Sequence, residues 1–90
     1  MELGYDPEKC ARNIRERDLS FDDVALLDWD SAIVRQDRRA DYGEDRFQAL
    51  VNGLDDELYI VVYTPRGATM WVISFRRANN RESRRYDKNA

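Results

Sequence analysis

The stretch Met70-Trp71-Val72-Ile73-Ser74-Phe75-Arg76-Arg77-Ala78-Asn79-Asn80-Arg81-Glu82-Ser83-Arg84-Arg85-Tyr86 decides how this chain is read. Its first six residues are apolar or small and suit a buried strand. An arginine pair follows. Asn79 or Asn80 can then cap a polar helix that carries Glu82 and Tyr86. A buried strand holds its end rigidly, so Arg76 and Arg77 arrive at an edge of the fold with little freedom. Fixed guanidinium groups suit the binding of phosphate.

Working outward, Leu58-Tyr59-Ile60-Val61-Val62-Tyr63-Thr64 is the strongest strand, continuous and rich in β-branched and aromatic residues. Such a run reads as central and buried on both faces. Pro65-Arg66-Gly67 supplies a hairpin turn, which pairs this strand antiparallel with Thr69–Phe75. Upstream, Asn52–Glu57 is a turn and residues 46–51 a strand. Residues 37–45 form a polar loop turning at Gly43, and Ala32-Ile33-Val34 is a short strand. Asp6-Pro7-Glu8-Lys9 starts a helix, with Asp6 as cap and Pro7 in the first turn. Cys10 and Ile14 lie one turn apart, and the helix ends near Arg17-Asp18. Ser20-Phe21-Asp22-Asp23 resembles a second helix start closing before Asp28. Asp87–Ala90 is expected to fray. The predicted architecture is α+β: two N-terminal helices, a four-stranded antiparallel sheet and a C-terminal helix, in a single domain over residues 1–90.

Composition narrows the chemistry. The chain has 90 residues, 42% hydrophobic and 37% charged, a balance that supports a small folded core. No apolar run is long enough to span a membrane, and a cytoplasmic location is expected. The sequence contains no histidine. Catalysis by Ser-His-Asp or Cys-His is thereby excluded, and neither a metal site nor a cofactor is expected. Cys10 reads as a small core residue. Charge is segregated. Residues 76–88 carry six basic and two acidic side chains, a local charge of +4, and residues 1–75 carry nine basic and sixteen acidic ones, a charge of −7. A basic C-terminal segment on an acidic body points to a polyanion or an acidic partner for that segment.

RNA cleavage through attack of a ribose 2′-OH needs a base, an acid and cations around the phosphorus. Arg76, Arg77 and Arg81 are candidate cations, Glu82 a candidate base, and Tyr86, four residues on, a candidate acid or positioning group. Lys9, Asn13, Arg46 and Arg66 can face the same edge. A plainer account of the same residues makes Glu82 a partner in surface ion pairs and Tyr86 the anchor of the terminal helix.

Taken in order, Asp6-Pro7-Glu8-Lys9 with Asn13-Ile14, Leu19-Ser20-Phe21-Asp22-Asp23, Gly43-Glu44-Asp45-Arg46-Phe47, Val61-Val62-Tyr63-Thr64-Pro65-Arg66-Gly67 and Ile73-Ser74-Phe75-Arg76-Arg77-Ala78 leading to Arg81-Glu82 and Tyr86 resemble the BrnT family of toxins. The resemblance runs from Tyr5 to Tyr86. It implies a RelE-like fold and a bacterial endoribonuclease that inhibits translation. It further implies a cognate BrnA-like antitoxin through which the complex binds operator DNA. Arg77, Arg81, Glu82 and Tyr86 match the family's C-terminal motif and are expected to be catalytic. Lys9, Arg46, Arg66 and Arg76 are expected to bind RNA. Two positions depart from the pattern. Glu16-Arg17-Asp18 stands where the family usually has Lys-His-Gly, and Ala40 where it commonly has a histidine. These departures raise an alternative: a homologue without catalysis, kept as an antitoxin-binding or repressor-complex module.

Overall fold

The structure, a computed structural model, describes residues 1–89. The elements are β1 (Glu2–Gly4), α1 (Pro7–Arg17), a 3-10 helix (Phe21–Leu26), β2 (Asp28–Gln36), β3 (Phe47–Asn52), β4 (Leu58–Arg66), β5 (Thr69–Arg77) and α2 (Asn80–Asn89). The strands form one sheet in the order β1-β5-β4-β3-β2. The β2–β5 pairings are antiparallel, and β1 joins β5 in parallel.

The architecture is α+β with a C-terminal helix, but two expectations are corrected. The sheet has five strands and is mixed, because Glu2-Leu3-Gly4 pairs with Thr69-Met70-Trp71. Three residues are too few to show a periodicity in sequence. The second N-terminal helix is a 3-10 helix. In that geometry side chains three apart eclipse, so Phe21 and Val24 drop together into the core, 1% and 0% exposed. The terminal residues also differ. The last helix continues past Tyr86 to Asn89, and Ala90 lies outside the described residues.

The ends of α1 follow the sequence reading, but its buried residues are Cys10 and Asn13, and Ile14, expected beside Cys10, is exposed. The Asp6 carboxylate accepts from the Glu8 amide at 2.9 Å, Pro7 occupies the first turn, and Asp18 closes the helix with φ 57°. α1 and the 3-10 helix cover one face of the sheet. There Val51, Tyr59, Val61, Val72 and Phe75 form the larger core with Cys10, Leu19 and Phe21. Asn13 is buried in this layer and ties it down, donating to the carbonyls of Leu19 and Phe75, both at 2.9 Å. The opposite face holds Leu50, Ile60 and Val62, packed against Ile73, Ala78 and Tyr86, so α2 docks on that side through Tyr86.

A register shift between β4 and β5 decides which side chains share a face. Val62 pairs with Ser74, yet Tyr63 pairs with Val72, leaving Ile73 as an extra residue. Side chains of a strand alternate between faces, and a bulge resets the alternation. Val72 and Phe75, three apart, therefore both enter the larger core. Trp71 and Arg76, five apart, both fall on the α2 face.

The 3-10 helix earns its place through Phe21. Phe21→Ala should cost about 3–5 kcal/mol of stability, as for a fully buried aromatic. Urea unfolding measures this, and a loss under about 1 kcal/mol would show that the segment does not close the core.

Candidate functional site

The strand registers place the predicted residues in three locations. Arg76 pairs across the sheet with Ile60 and so lies on the α2 face. Arg77 pairs with Tyr59 and lies on the other face, its guanidinium 5.9 Å from the Tyr59 ring centroid. The adjacent arginines thus point to opposite sides. Burial and the hydrogen bond to Asp55 push the Tyr59 phenol up to about 12. Lys9 is exposed on α1. It lines a groove of about 210 Å³ with Arg12, Asn13, Arg17, Ile73 and Ser74, along the part of β5 that β1 does not cover.

The α2 face gathers most of the rest. Arg76 makes a bidentate ion pair with Glu82, each N–O distance 2.8 Å. The Asn79 side chain accepts from the Glu82 amide at 2.8 Å, and the Glu82 carboxylate accepts from the Asn79 amide at 2.8 Å. This reciprocal pair is a capping box, with Asn79 as N-cap and Glu82 three residues in. Glu82 therefore starts the helix and fastens it to β5 at once. The hydrogen bonds from Arg76 hold its carboxyl below the usual carboxylate range. A stabilised carboxylate is a weak proton acceptor. Arg76 is shifted the opposite way by the same contact.

Tyr86 is half-buried at the second anchor of α2. Its hydroxyl donates to the Ser31 carbonyl at 2.9 Å and accepts from the Asn52 side chain at 3.1 Å. Both hydrogen-bonding directions of the phenol are thus engaged by the sheet. Arg81 is exposed on α2 and lines a shallow basic groove of about 280 Å³ with Arg84, Arg85 and Lys88.

At the far end of the same face, alternation along β3 puts Arg46 beside Gln48 and Leu50. The Arg46 guanidinium lies 3.9 Å over the Tyr42 ring, and its buried Nε has no hydrogen-bond partner among the described residues. Arg66 lies 4.4 Å over the Trp71 ring and bonds Glu44 at 3.2 Å. Between these and α2 runs an uncharged row, Gln48-Val62-Ser74, set by the register.

Sequence reasoning missed Asp37 and Arg39. Arg39 grips the buried Asp37 carboxylate with two hydrogen bonds, at 2.9 and 2.7 Å. These lower the Asp37 carboxyl from an ordinary 3.8 to about 2. Arg39 is close enough to Arg76 to act on it electrostatically. A polar loop in sequence carried no signal of this pair, because its geometry depends on where the loop folds back. Trp71 and Gln48 were within reach of sequence reading, by alternation along their strands once the bulge is known.

Chemically, the α2 face carries guanidinium groups at its two ends with an uncharged row between them, and the Glu82 carboxylate beside Arg76 is held as a weak base. Among the described residues, no group of three or more His, Cys, Asp or Glu is arranged to hold a metal ion. No helix among them is long and apolar enough to cross a membrane. The fold and these arginines define a small α+β protein with a five-stranded sheet and a C-terminal basic helix. The family description "Ribonuclease toxin, BrnT, of type II toxin-antitoxin system" matches residues 5–82, and the chain belongs to this BrnT family. The crystal structure of the ribonuclease toxin BrnT of Brucella abortus superposes with a TM-score of 0.71 at 28% identity, covering 89% of this chain and 99% of that one. A search of curated protein sequences finds no match.

The Asp37 carboxyl makes acid behaviour predictable. A pKa depressed in the folded state stabilises the fold above the unfolded value of about 3.8, and that contribution is lost as pH falls toward about 2. Asp37→Asn should therefore be markedly less stable than the parent near pH 5, with the gap narrowing toward about pH 2. Urea unfolding across that range checks this, and a gap independent of pH would contradict it.

Proposed function

We propose that this chain is an endoribonuclease whose RNA lies along the α2 face. Family membership makes it a ribonuclease toxin of a type II system and implies an antitoxin partner. The carrying observation is that the sheet face on which α2 docks carries Arg66 and Arg76, with Arg46 at its edge, and that α2 itself presents Arg81. Arg81, with the neighbouring basic side chains of α2, offers exposed positive charge to phosphate. Arg76 comes with its charge balanced by Glu82 and acts through its position. Arg66 is balanced by Glu44 in an exposed pair, and such pairs are worth only about 0–1 kcal/mol, so a phosphate can replace the carboxylate.

On this reading catalysis is mainly electrostatic. Guanidinium groups stabilise the charge that builds on phosphorus as the 2′-oxygen attacks and gives its proton to water, without a resident metal or cofactor. The P–O5′ bond then breaks with the leaving 5′-oxygen taking a proton from water, which leaves a 2′,3′-cyclic phosphate and a 5′-hydroxyl. Glu82 and Tyr86 hold α2 at the site rather than transfer protons. Arg77 and Lys9, away from this face, contact RNA only where the strand wraps the β5 side of the sheet. The protein acts in the cytoplasm as a single domain. Cleavage inhibits translation, and a BrnA-like antitoxin neutralises the toxin and brings the complex to operator DNA.

A second reading has its own observation. No histidine is present, and the Glu82 carboxylate and Tyr86 hydroxyl are both occupied. This is what a module that binds antitoxin but has lost cleavage would look like. Purified chain incubated with RNA separates the two. The ribonuclease reading expects cleavage that falls about 10–100-fold in Arg81→Ala, with stability within about 0.5 kcal/mol of the parent because Arg81 is exposed. Undiminished cleavage would remove Arg81 from the site. Antitoxin binding with intact RNA would select the second reading.

A further inference from the structure

The geometry points to the Arg66–Trp71 pair as a platform for one nucleobase of single-stranded RNA, so that Arg66 holds a base and does not merely attract phosphate. This rests on the RNA-binding reading of the α2 face.

Three contacts build the platform. Trp71 stands opposite Thr64 on β4 and beside Gly4 on β1. A Cβ on Gly4 would lie 2.7 Å from Cε3 of Trp71 and 3.0 Å from Cζ3, so the indole occupies the space a side chain would take. The indole thus packs over the bare Gly4 backbone. The Arg66 guanidinium carbon lies over the ring, 4.4 Å from its centroid, and its Nη2 bonds Glu44 at 3.2 Å. The guanidinium is thus held between the indole and the carboxylate. The side chain is 48% exposed, which leaves its outer side to solvent.

A guanidinium held over a ring in this way can offer its outer side to a base, since bases stack on arginine planes as they do on aromatic rings. The indole and Glu44 contacts restrict it before RNA arrives, which reduces the freedom lost on binding. A phosphate clamp would need none of this. It requires charge and reach, and a mobile, unstacked arginine or lysine would serve.

Position also matters. Ile60, the partner of Arg76, lies six residues from Arg66 along β4. At the strand rise that is about 20 Å. The stacked base is therefore several nucleotides from RNA bound near α2. Arg66 would set a preference at a position remote from the Arg76 end of the face. Trp71 acts as a positioning residue that keeps the plane in place.

The test uses single-stranded RNA with 2′-O-methyl riboses throughout, which cannot be cleaved by 2′-OH attack, and 2-aminopurine placed at one position at a time. Binding is followed by anisotropy over a salt series, and stacking by quenching of the 2-aminopurine. The full chain should quench one position strongly. Arg66→Lys keeps the charge but loses the plane. It should abolish that quenching and weaken binding about tenfold, with an unchanged salt dependence. Trp71→Phe, which keeps a smaller ring, should give an intermediate quench. Quenching and affinity preserved in Arg66→Lys would overturn the platform, as would a parent protein that quenches no position. The ribonuclease reading is judged separately with unmodified RNA. Quenching without cleavage of that RNA would sink the enzyme and keep the platform. Cleavage with unaltered sequence preference in Arg66→Lys would do the reverse.

Discussion

The pairing of Arg76 with Glu82 is the interaction on which the functional face depends. It joins the end of β5 to the first turn of α2, and the same carboxylate closes the capping box with Asn79. A polar helix of ten residues has little tendency to persist in water by itself. Tyr86 and Ala78 contribute its small apolar contact with Leu50, Ile60 and Val62. The ion pair adds direction to that contact. Its side chains are 34% and 20% exposed, so the attraction is partly shielded from water, and removing one partner would leave the other poorly solvated. With α2 fixed at both ends, Arg81 and its basic neighbours are presented as a fixed surface.

The bulge at Ile73 is the second constraint, and it works on the whole sheet. Without it, Trp71 and Arg76 would lie on opposite faces, and the Arg66–Trp71 pair would be separated from α2. With it, the apolar residues Val72 and Phe75 stay in the larger core while the polar ones gather on the other side. Ion pairs take part in this arrangement. Asp37, Glu44 and Glu82 each bind an arginine. Each pair forms within its own segment, two in the acidic body and one in the basic C-terminal stretch, and each holds its guanidinium in place.

Much of this was legible in the sequence because it rests on local rules. The capped start of α1, the run of β4 and the antiparallel partner β5 all follow from propensity and alternation, whereas the turn expected at Pro65-Arg66-Gly67 falls on Gly67-Ala68, with Pro65 and Arg66 still paired in β4. β1 was not legible, since three residues carry no pattern and their pairing is set by contacts with residues 69–71. The 3-10 helix was read as an ordinary helix because capping signals are shared by the two forms. At the site, Arg66 and Arg76 share the sheet face on which Glu82 and Tyr86 dock α2, and Arg81 lies exposed on the helix itself. The separation of Arg77 from Arg76 follows from alternation within one strand. The engagement of Glu82 and Tyr86 was present in the plainer account of those residues, as an ion pair and a helix anchor. Only the three-dimensional register could show that both of these groups are held by the sheet. The Asp37–Arg39 pair and the Arg66–Trp71 pair depend on loop closure and on the bulge, which composition does not encode.

The central claim is that Glu82 organises the site and does not take the proton. Single-turnover cleavage of RNA by Glu82→Gln tests it most directly. Glutamine keeps the capping-box acceptor while removing the carboxylate that a base requires. The account predicts a loss of no more than about tenfold, matched by weaker docking of α2 in hydrogen exchange. A loss of about 100-fold or more with α2 still docked is what removal of a general base produces, and it would contradict the account.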